Sequence, residues 1–225
     1  MKLLIDNANI NDIKRLYDLY PIDGVTTNPT ILAASGRQPY DVLGEIRRFI
    51  GDEADLHVQA VALDTEGMVA DGHRIAQELG RNTYIKIPSI PEGIKAMKIL
   101  SGEGYRVTAT AIYTVQQAFL AGKAGASFAA PYVNRIDNLG ADGIETTKRI
   151  HDVFKKNNLE TELLAASFKN TQQVLELAEY GIGAATVAPD VIDGLIVNPI
   201  VTIAVAQFVK DFEGLCGAGK TMKDC

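Results

Sequence analysis

Eight short apolar runs, each followed by a stretch of helical length, divide this chain from end to end. The runs fall at residues 3–6, 24–27, 56–62, 83–88, 106–112, 127–133, 162–167 and 184–188. They are mostly apolar on both faces, which is how parallel strands covered on both sides read. Parallel neighbours need long crossovers, and a helix is the usual one. Eight such units match an α/β fold of the (β/α)8 TIM-barrel type. An open doubly wound sheet is the alternative. It usually has fewer strands and a glycine-rich first turn, whereas the first turn here reads Asp6-Asn7-Ala8-Asn9.

Local signals agree with the helices. Met68, Gly72, Ile75, Ala76 and Leu79 share one helical face, as do Ile150, Val153 and Phe154. Thr114 with Gln117 forms a capping-box pattern, and Asn170 with Gln173 a similar one. Pro91 suits a first turn, and Gly80 and Gly181 sit where helices should stop. Eight units account for residues up to about 197. The chain of 225 residues is therefore expected to be one barrel domain, 1–225, with 198–225 as an additional C-terminal helix and tail. Ile200, Ile203, Ala204, Phe208 and Phe212 continue a helical face there. Such a face needs cover, from a neighbouring subunit or from its own barrel.

Charge and cysteine usage narrow the partners. Lys plus Arg is 22 against 28 Asp plus Glu, a formal charge of −6, so no nucleic-acid partner is expected. A small anion remains possible, because one pocket arginine is enough to hold it. The two cysteines, Cys216 and Cys225, cannot staple the body of the fold and fit a reducing, cytoplasmic setting. The opening MKLLIDNANI is too short an apolar run for a signal peptide, and no run suits a membrane span, so no membrane association is expected.

Barrel active sites lie at the C-terminal ends of the strands. Polar residues gather there: Asp6 on the first strand, Thr26, Thr27 and Asn28 on the second, and Gln59 on the third. Lys86 is on the fourth, Thr110 on the fifth, Tyr132, Asn134 and Arg135 close the sixth, and Ser167 closes the seventh. Lys86 is the most informative. A lysine among apolar neighbours in a central strand loses hydration, which lowers its pKa and frees a nucleophilic amine for Schiff-base chemistry. An outward-pointing lysine on an edge strand is the plainer reading. Asp6 reads as an acid/base or hydroxyl-binding carboxylate, or else as a cap. Arg135 reads as a phosphate ligand, or else as a surface ion pair with Asp137.

His57, His73 and His151 stand apart from one another and from cysteine, so no metal is expected, and they read as surface or core-edge residues. The tail stretch Gly214 to Thr221 matches the phosphate-loop pattern G-x-x-x-x-G-K-T. That mechanism needs a strand before the loop and a helix after it, and here a helix precedes and only four residues follow.

The motifs Gly24-Val25-Thr26-Thr27-Asn28-Pro29, Ile85-Lys86-Ile87-Pro88, Ala130-Pro131-Tyr132-Val133-Asn134-Arg135 and Ala165-Ala166-Ser167-Phe168-Lys169 resemble the small transaldolase and fructose-6-phosphate aldolase family. The resemblance runs from residue 1 to about 213. It implies class I aldol chemistry without a cofactor, on a sugar-phosphate substrate. Lys86 corresponds to the Schiff-base lysine, Asp6 to the hydroxyl-binding aspartate and Thr110 to a threonine that holds a water. Thr26, Asn28, Asn134, Arg135 and Ser167 match substrate contacts. Gln59 and Tyr132 stand where the aldolases carry glutamine and tyrosine and transaldolases usually carry glutamate and phenylalanine. The resemblance thus implies reversible cleavage of fructose 6-phosphate to dihydroxyacetone and glyceraldehyde 3-phosphate, with dihydroxyacetone transfer between a ketose donor and an aldose phosphate acceptor as the alternative. It also implies a ring-shaped homo-oligomer, a pentamer or decamer.

Overall fold

The computed structural model describes residues 1–225. In chain order the first half holds β1 (Lys2–Asp6), α1 (Ile10–Leu19), β2 (Gly24–Thr26), α2 (Pro29–Ala34), α3 (Pro39–Ile50) and β3 (Asp55–Gln59). Next come α4 (Thr65–Leu79), β4 (Tyr84–Pro88), α5 (Pro91–Gly102), β5 (Val107–Ile112) and α6 (Val115–Lys123). The second half holds β6 (Phe128–Pro131), α7 (Val133–Asp137), α8 (Gly143–Lys156), β7 (Glu162–Ala165), α9 (Thr171–Tyr180) and β8 (Ala184–Val187). Helices α10 (Pro189–Gly194) and α11 (Pro199–Cys216) follow.

Every strand pairs in parallel with its sequence neighbours, and β1 closes on β8 through Leu3 opposite Ala185 and Ile5 opposite Val187. The sheet is a closed eight-stranded barrel with no edge. That removes the plainer reading of Lys86 as an edge-strand lysine. The two faces of the strands have different duties. Outward residues such as Ile5, Val25, Val58, Ile85, Ile87 and Val107 join a shell of 38 buried residues against the helices. Inside the barrel only six, including Leu4, Tyr84, Phe128 and Leu164, form an apolar floor. The strands are therefore apolar throughout on the outer face alone. The upper lumen is polar.

The expected helix signals are present. α4 buries Met68, Gly72, Ile75, Ala76 and Leu79. Thr114 and Gln117 complete a capping box on α6. Asn170 caps α9 through the Gln173 amide, but the Gln173 side chain accepts from Lys169 N, one residue earlier than a capping box needs. Most strand bounds differ from expectation by one residue at most, and three strands end two or more residues early. β3 stops at Gln59, β6 stops at Pro131, and β7 stops at Ala165. Beyond these ends the chain leaves the barrel rim: Val61 is exposed, and β6 and β7 are joined further only by an isolated parallel bridge between Tyr132 and Ala166. Val133, expected on the sixth strand, opens α7 and is fully buried. β2 is followed by two helices, because Pro39 starts a fresh first turn after the short α2.

His57 is also misjudged from sequence alone. It is fully buried in the lumen, stacked on Tyr84 with ring centroids 4.4 Å apart, and its Nδ1 lies 2.9 Å from the Thr108 hydroxyl. The alternation of β3 turns it inward along with Asp55 and Gln59. Burial, with nearby Lys86 next in importance, keeps its pKa well below the ordinary histidine value. The phosphate-loop look-alike has α11 before it and a short 3-10 turn at Met222–Asp224 behind it, with no preceding strand.

The link from β4 into α5 is tight. A Cβ on Gly93 would lie 1.9 Å from the Pro88 carbonyl oxygen. Gly93→Ala is expected to destabilise the fold by about 1–3 kcal/mol, as overpacking does, read as a lower urea midpoint with an unchanged slope.

Candidate active site

The barrel register itself gathers the polar side chains. Gln59 on β3 lies opposite Lys86 on β4, and Lys86 opposite Thr108 on β5. Asp6 on β1 lies opposite Thr26 on β2. Pairing along a parallel sheet keeps like-facing residues side by side, so one lumen-facing residue per strand makes a ring. The ring encloses a cavity of about 350 Å³ at the C-terminal mouth. Asp6, Asn28, Gln59, Lys86, Thr110, Tyr132, Arg135 and Ser167 all line it.

Lys86 is 5% exposed, and its Nζ donates to the Thr27 carbonyl oxygen at 2.7 Å. Burial lowers its pKa, and the attraction of Asp6 opposes this without overcoming it. Asp6 moves the other way. Burial raises its pKa, against the opposing pull of Lys86, of the Thr26 hydroxyl and of Arg135. Both members are thus pushed towards their neutral forms, because desolvation outweighs their mutual attraction. The Thr26 hydroxyl donates to Asp6 Oδ1 at 2.7 Å and lies 2.6 Å from the Thr186 hydroxyl. Asp6 is therefore no helix cap; Asn9 caps α1.

On the opposite wall the Thr110 and Tyr132 hydroxyls are 2.8 Å apart. The Arg135 guanidinium sits over the Tyr132 ring, 4.7 Å from its centroid. Its pKa is raised first by the Tyr113 hydroxyl beside it. Asp137 takes no part: its carboxylate accepts from Gly143 N and from Gln173. Arg135 and Asn134 lie on α7, one turn beyond the strand end expected for them. Arg135 still lines the cavity, whereas Asn134 does not; its backbone N–H donates to the Ser167 carbonyl. Thr26 stands behind Asp6, outside the cavity lining. Ser167 adopts a left-handed φ of 62° just past β7, and this turns it to the mouth.

Sequence reasoning missed Tyr113, Thr186 and Ala111, all of which line the cavity. Thr186 was discoverable, since it is the polar residue of an otherwise apolar β8. Tyr113 was not. It depends on a register shift between β5 and β6 and on the left-handed φ of 55° at Ala111, neither of which has a local sequence signature.

The transaldolase/fructose-6-phosphate aldolase family model matches residues 3–219. The chain belongs to the transaldolase/fructose-6-phosphate aldolase family. A probable transaldolase of Hydrogenobaculum sp. is 40% identical, covering 95% of this chain and 97% of that protein. A probable fructose-6-phosphate aldolase of Streptococcus pneumoniae is 38% identical, covering 94% and 96%. A solved structure described as native KDPGal superposes with a TM-score of 0.58 at 18% identity over 84% of each chain, a likeness of fold alone. The family's two named activities make the chain an enzyme of lyase or transferase type.

Because Lys86 is the largest force holding the Asp6 pKa down, removing its charge should raise that pKa further. Lys86→Met is expected to shift the Asp6 carboxyl titration upward, read by carbon NMR of the labelled side chain.

Proposed function

We propose that this enzyme cleaves fructose 6-phosphate reversibly to dihydroxyacetone and glyceraldehyde 3-phosphate through a Schiff base on Lys86. The observation that carries this reading is the buried Lys86 amine in a polar cavity with a carboxyl group, Asp6, on a nearby wall. Neutral Lys86 attacks the C2 carbonyl, and loss of water leaves an iminium ion. The Asp6 carboxylate takes the C4 hydroxyl proton, the C3–C4 bond breaks, and its electron pair moves into the iminium to give an enamine. Glyceraldehyde 3-phosphate leaves. Protonation of the enamine at C3, then hydrolysis, releases dihydroxyacetone and restores the amine.

Gln59, Thr110 and Tyr132 are assigned to hold the water that carries these protons. Arg135, with Ser167 near it, is assigned to the phosphate, in a bidentate mode suited to guanidinium. Asn28, Asn134 and Thr26 are assigned to substrate positioning, Asn134 by fixing the Ser167 turn and Thr26 through Asp6.

A second reading, transfer of the dihydroxyacetone unit to an aldose phosphate, is favoured by relatives such as the probable transaldolases of Hydrogenobaculum sp. and Nitrosopumilus maritimus. The two readings diverge after the enamine forms. Water protonation gives an aldolase, and capture by a second aldehyde gives a transaldolase. The Gln59 and Tyr132 pair supports the first.

Borohydride with dihydroxyacetone should leave a reduced adduct on Lys86, seen by mass spectrometry and absent from Lys86→Ala. The trapping rate should rise with pH with a midpoint below the ordinary lysine value of 10.5, since the neutral amine is the reactive form and its folded pKa is lowered. Fructose 6-phosphate should be cleaved without erythrose 4-phosphate, and Tyr132→Phe should raise transfer relative to cleavage.

The assembly proposed is a homo-oligomer, a pentamer or decamer, in the cytoplasm. Helix α11 supports it: none of its residues is buried, and Ile200, Ile203 and Phe208 are about two-thirds or more exposed. A contiguous apolar face of this kind is an association surface. Ile203→Glu with Phe208→Glu is expected to lower the mass measured by light scattering.

A further inference from the structure

We propose that Thr186 is a positioning residue that strengthens, through Thr26, the hydrogen bond held on the Asp6 carboxylate. The three groups stand in line across β8, β2 and β1. The Thr186 and Thr26 hydroxyl oxygens are 2.6 Å apart, and Thr26 lies 2.7 Å from Asp6 Oδ1. Thr26 is fully buried and Thr186 is 3% exposed, and neither hydroxyl has another protein partner.

Counting protons fixes the direction. An ionised carboxylate only accepts, so Thr26 must give Asp6 its single hydroxyl proton. The Thr26 oxygen is then bare towards Thr186, and Thr186 must donate to it. The chain runs Thr186 to Thr26 to Asp6, and each bond polarises the next. A proton on Asp6 Oδ2 leaves Oδ1 accepting and the chain unchanged, while a proton on Oδ1 has to displace the Thr26 donor. The chain therefore favours the carboxylate, and the bond from Thr186 adds to that preference.

The charged groups facing Asp6 from other elements are Lys86 on β4 and Arg135 on α7. His57 on β3 has its own pKa lowered in part by Lys86 and is not among the groups acting on Asp6. Both cations favour the carboxylate through space, whereas Thr186 acts on it only through the Thr26 hydroxyl.

This inference rests on the reading of Asp6 as the base. The test uses Thr186→Val, which keeps the shape and removes the hydroxyl, and Thr186→Ser, which restores it. Asp6 is titrated through its labelled side-chain carboxyl, and the pH profile of kcat/KM for fructose 6-phosphate cleavage is recorded alongside. Thr186→Val is expected to raise the Asp6 midpoint and the acid limb of the profile together, by roughly 0.3 pH unit. Thr186→Ser should return both towards the parent values. Coincident titration curves for Thr186→Val and the parent would overturn the proposal, as would a shift that Thr186→Ser retains. Thr186→Ala provides the same comparison should the valine variant fold poorly. Asp6→Asn separates the two levels. Undiminished cleavage there overturns Asp6 as the base, while the carboxyl titration still judges the hydroxyl chain.

Discussion

Desolvation of the lysine amine in the barrel lumen is the interaction on which the rest of the site depends. An ammonium group in water is a poor nucleophile because its lone pair is occupied. Moving it into a closed lumen costs the charged form more than the neutral one, and the pKa falls. The fall must be limited, since a fully isolated amine would be expensive to place. Asp6 supplies that limit through its charge, and the Thr27 carbonyl supplies a hydrogen bond that a neutral amine can also make. The same burial raises Asp6, so one environment moves the amine proposed as nucleophile and the carboxyl proposed as base in opposite directions. This is the pattern by which a single pocket separates acid and base roles.

A closed parallel barrel is suited to that environment for a geometric reason. Its lumen has no edge through which water can reach a strand, and the side-chain period of two puts one face of every strand inside. The apolar work is done by the outer faces against the helices, which frees the upper lumen from packing duty. The floor of Leu4, Tyr84, Phe128 and Leu164, with His57 stacked among the aromatics, closes the lumen from below. The site is thus dry beneath and open above. Polar residues at the rim cost little there, because each has a hydroxyl, a carbonyl or the cavity itself to face.

This division explains what could be read from the residues alone. Barrel topology was legible because it depends on the number and order of apolar runs. Lys86 was legible because a charge within Tyr84-Ile85-Lys86-Ile87-Pro88 contradicts its surroundings. Helix faces such as that of α4 were legible from their period. Strand ends were not. Whether Val133 continues a strand or opens a helix depends on where the rim turns, and both outcomes bury it. His57 was taken for a peripheral residue because nothing local says which face of β3 is the lumen until Gln59 and Lys86 are set side by side. Tyr113 was hidden for a related reason, since a backbone irregularity at Ala111 aims it. Relations between strands are what a single sequence conceals.

The net charge of −6 bears on the same geometry. A phosphorylated substrate approaches a protein that repels it at long range, although salt screens this beyond about 10 Å. Recognition has to be local, and the cation available at the mouth is Arg135. It is held from two sides, by the Tyr132 face and by the Tyr113 hydroxyl. Tyr132 in turn bonds Thr110, next to the strand that carries Lys86. The guanidinium assigned to the phosphate and the hydroxyl assigned to proton handling therefore meet on one tyrosine. Placing an anion on Arg135 draws on the residue that also orders the far wall of the cavity. In such an arrangement binding energy from a remote phosphate can be used at the reacting carbons, so losing the phosphate costs turnover as well as affinity.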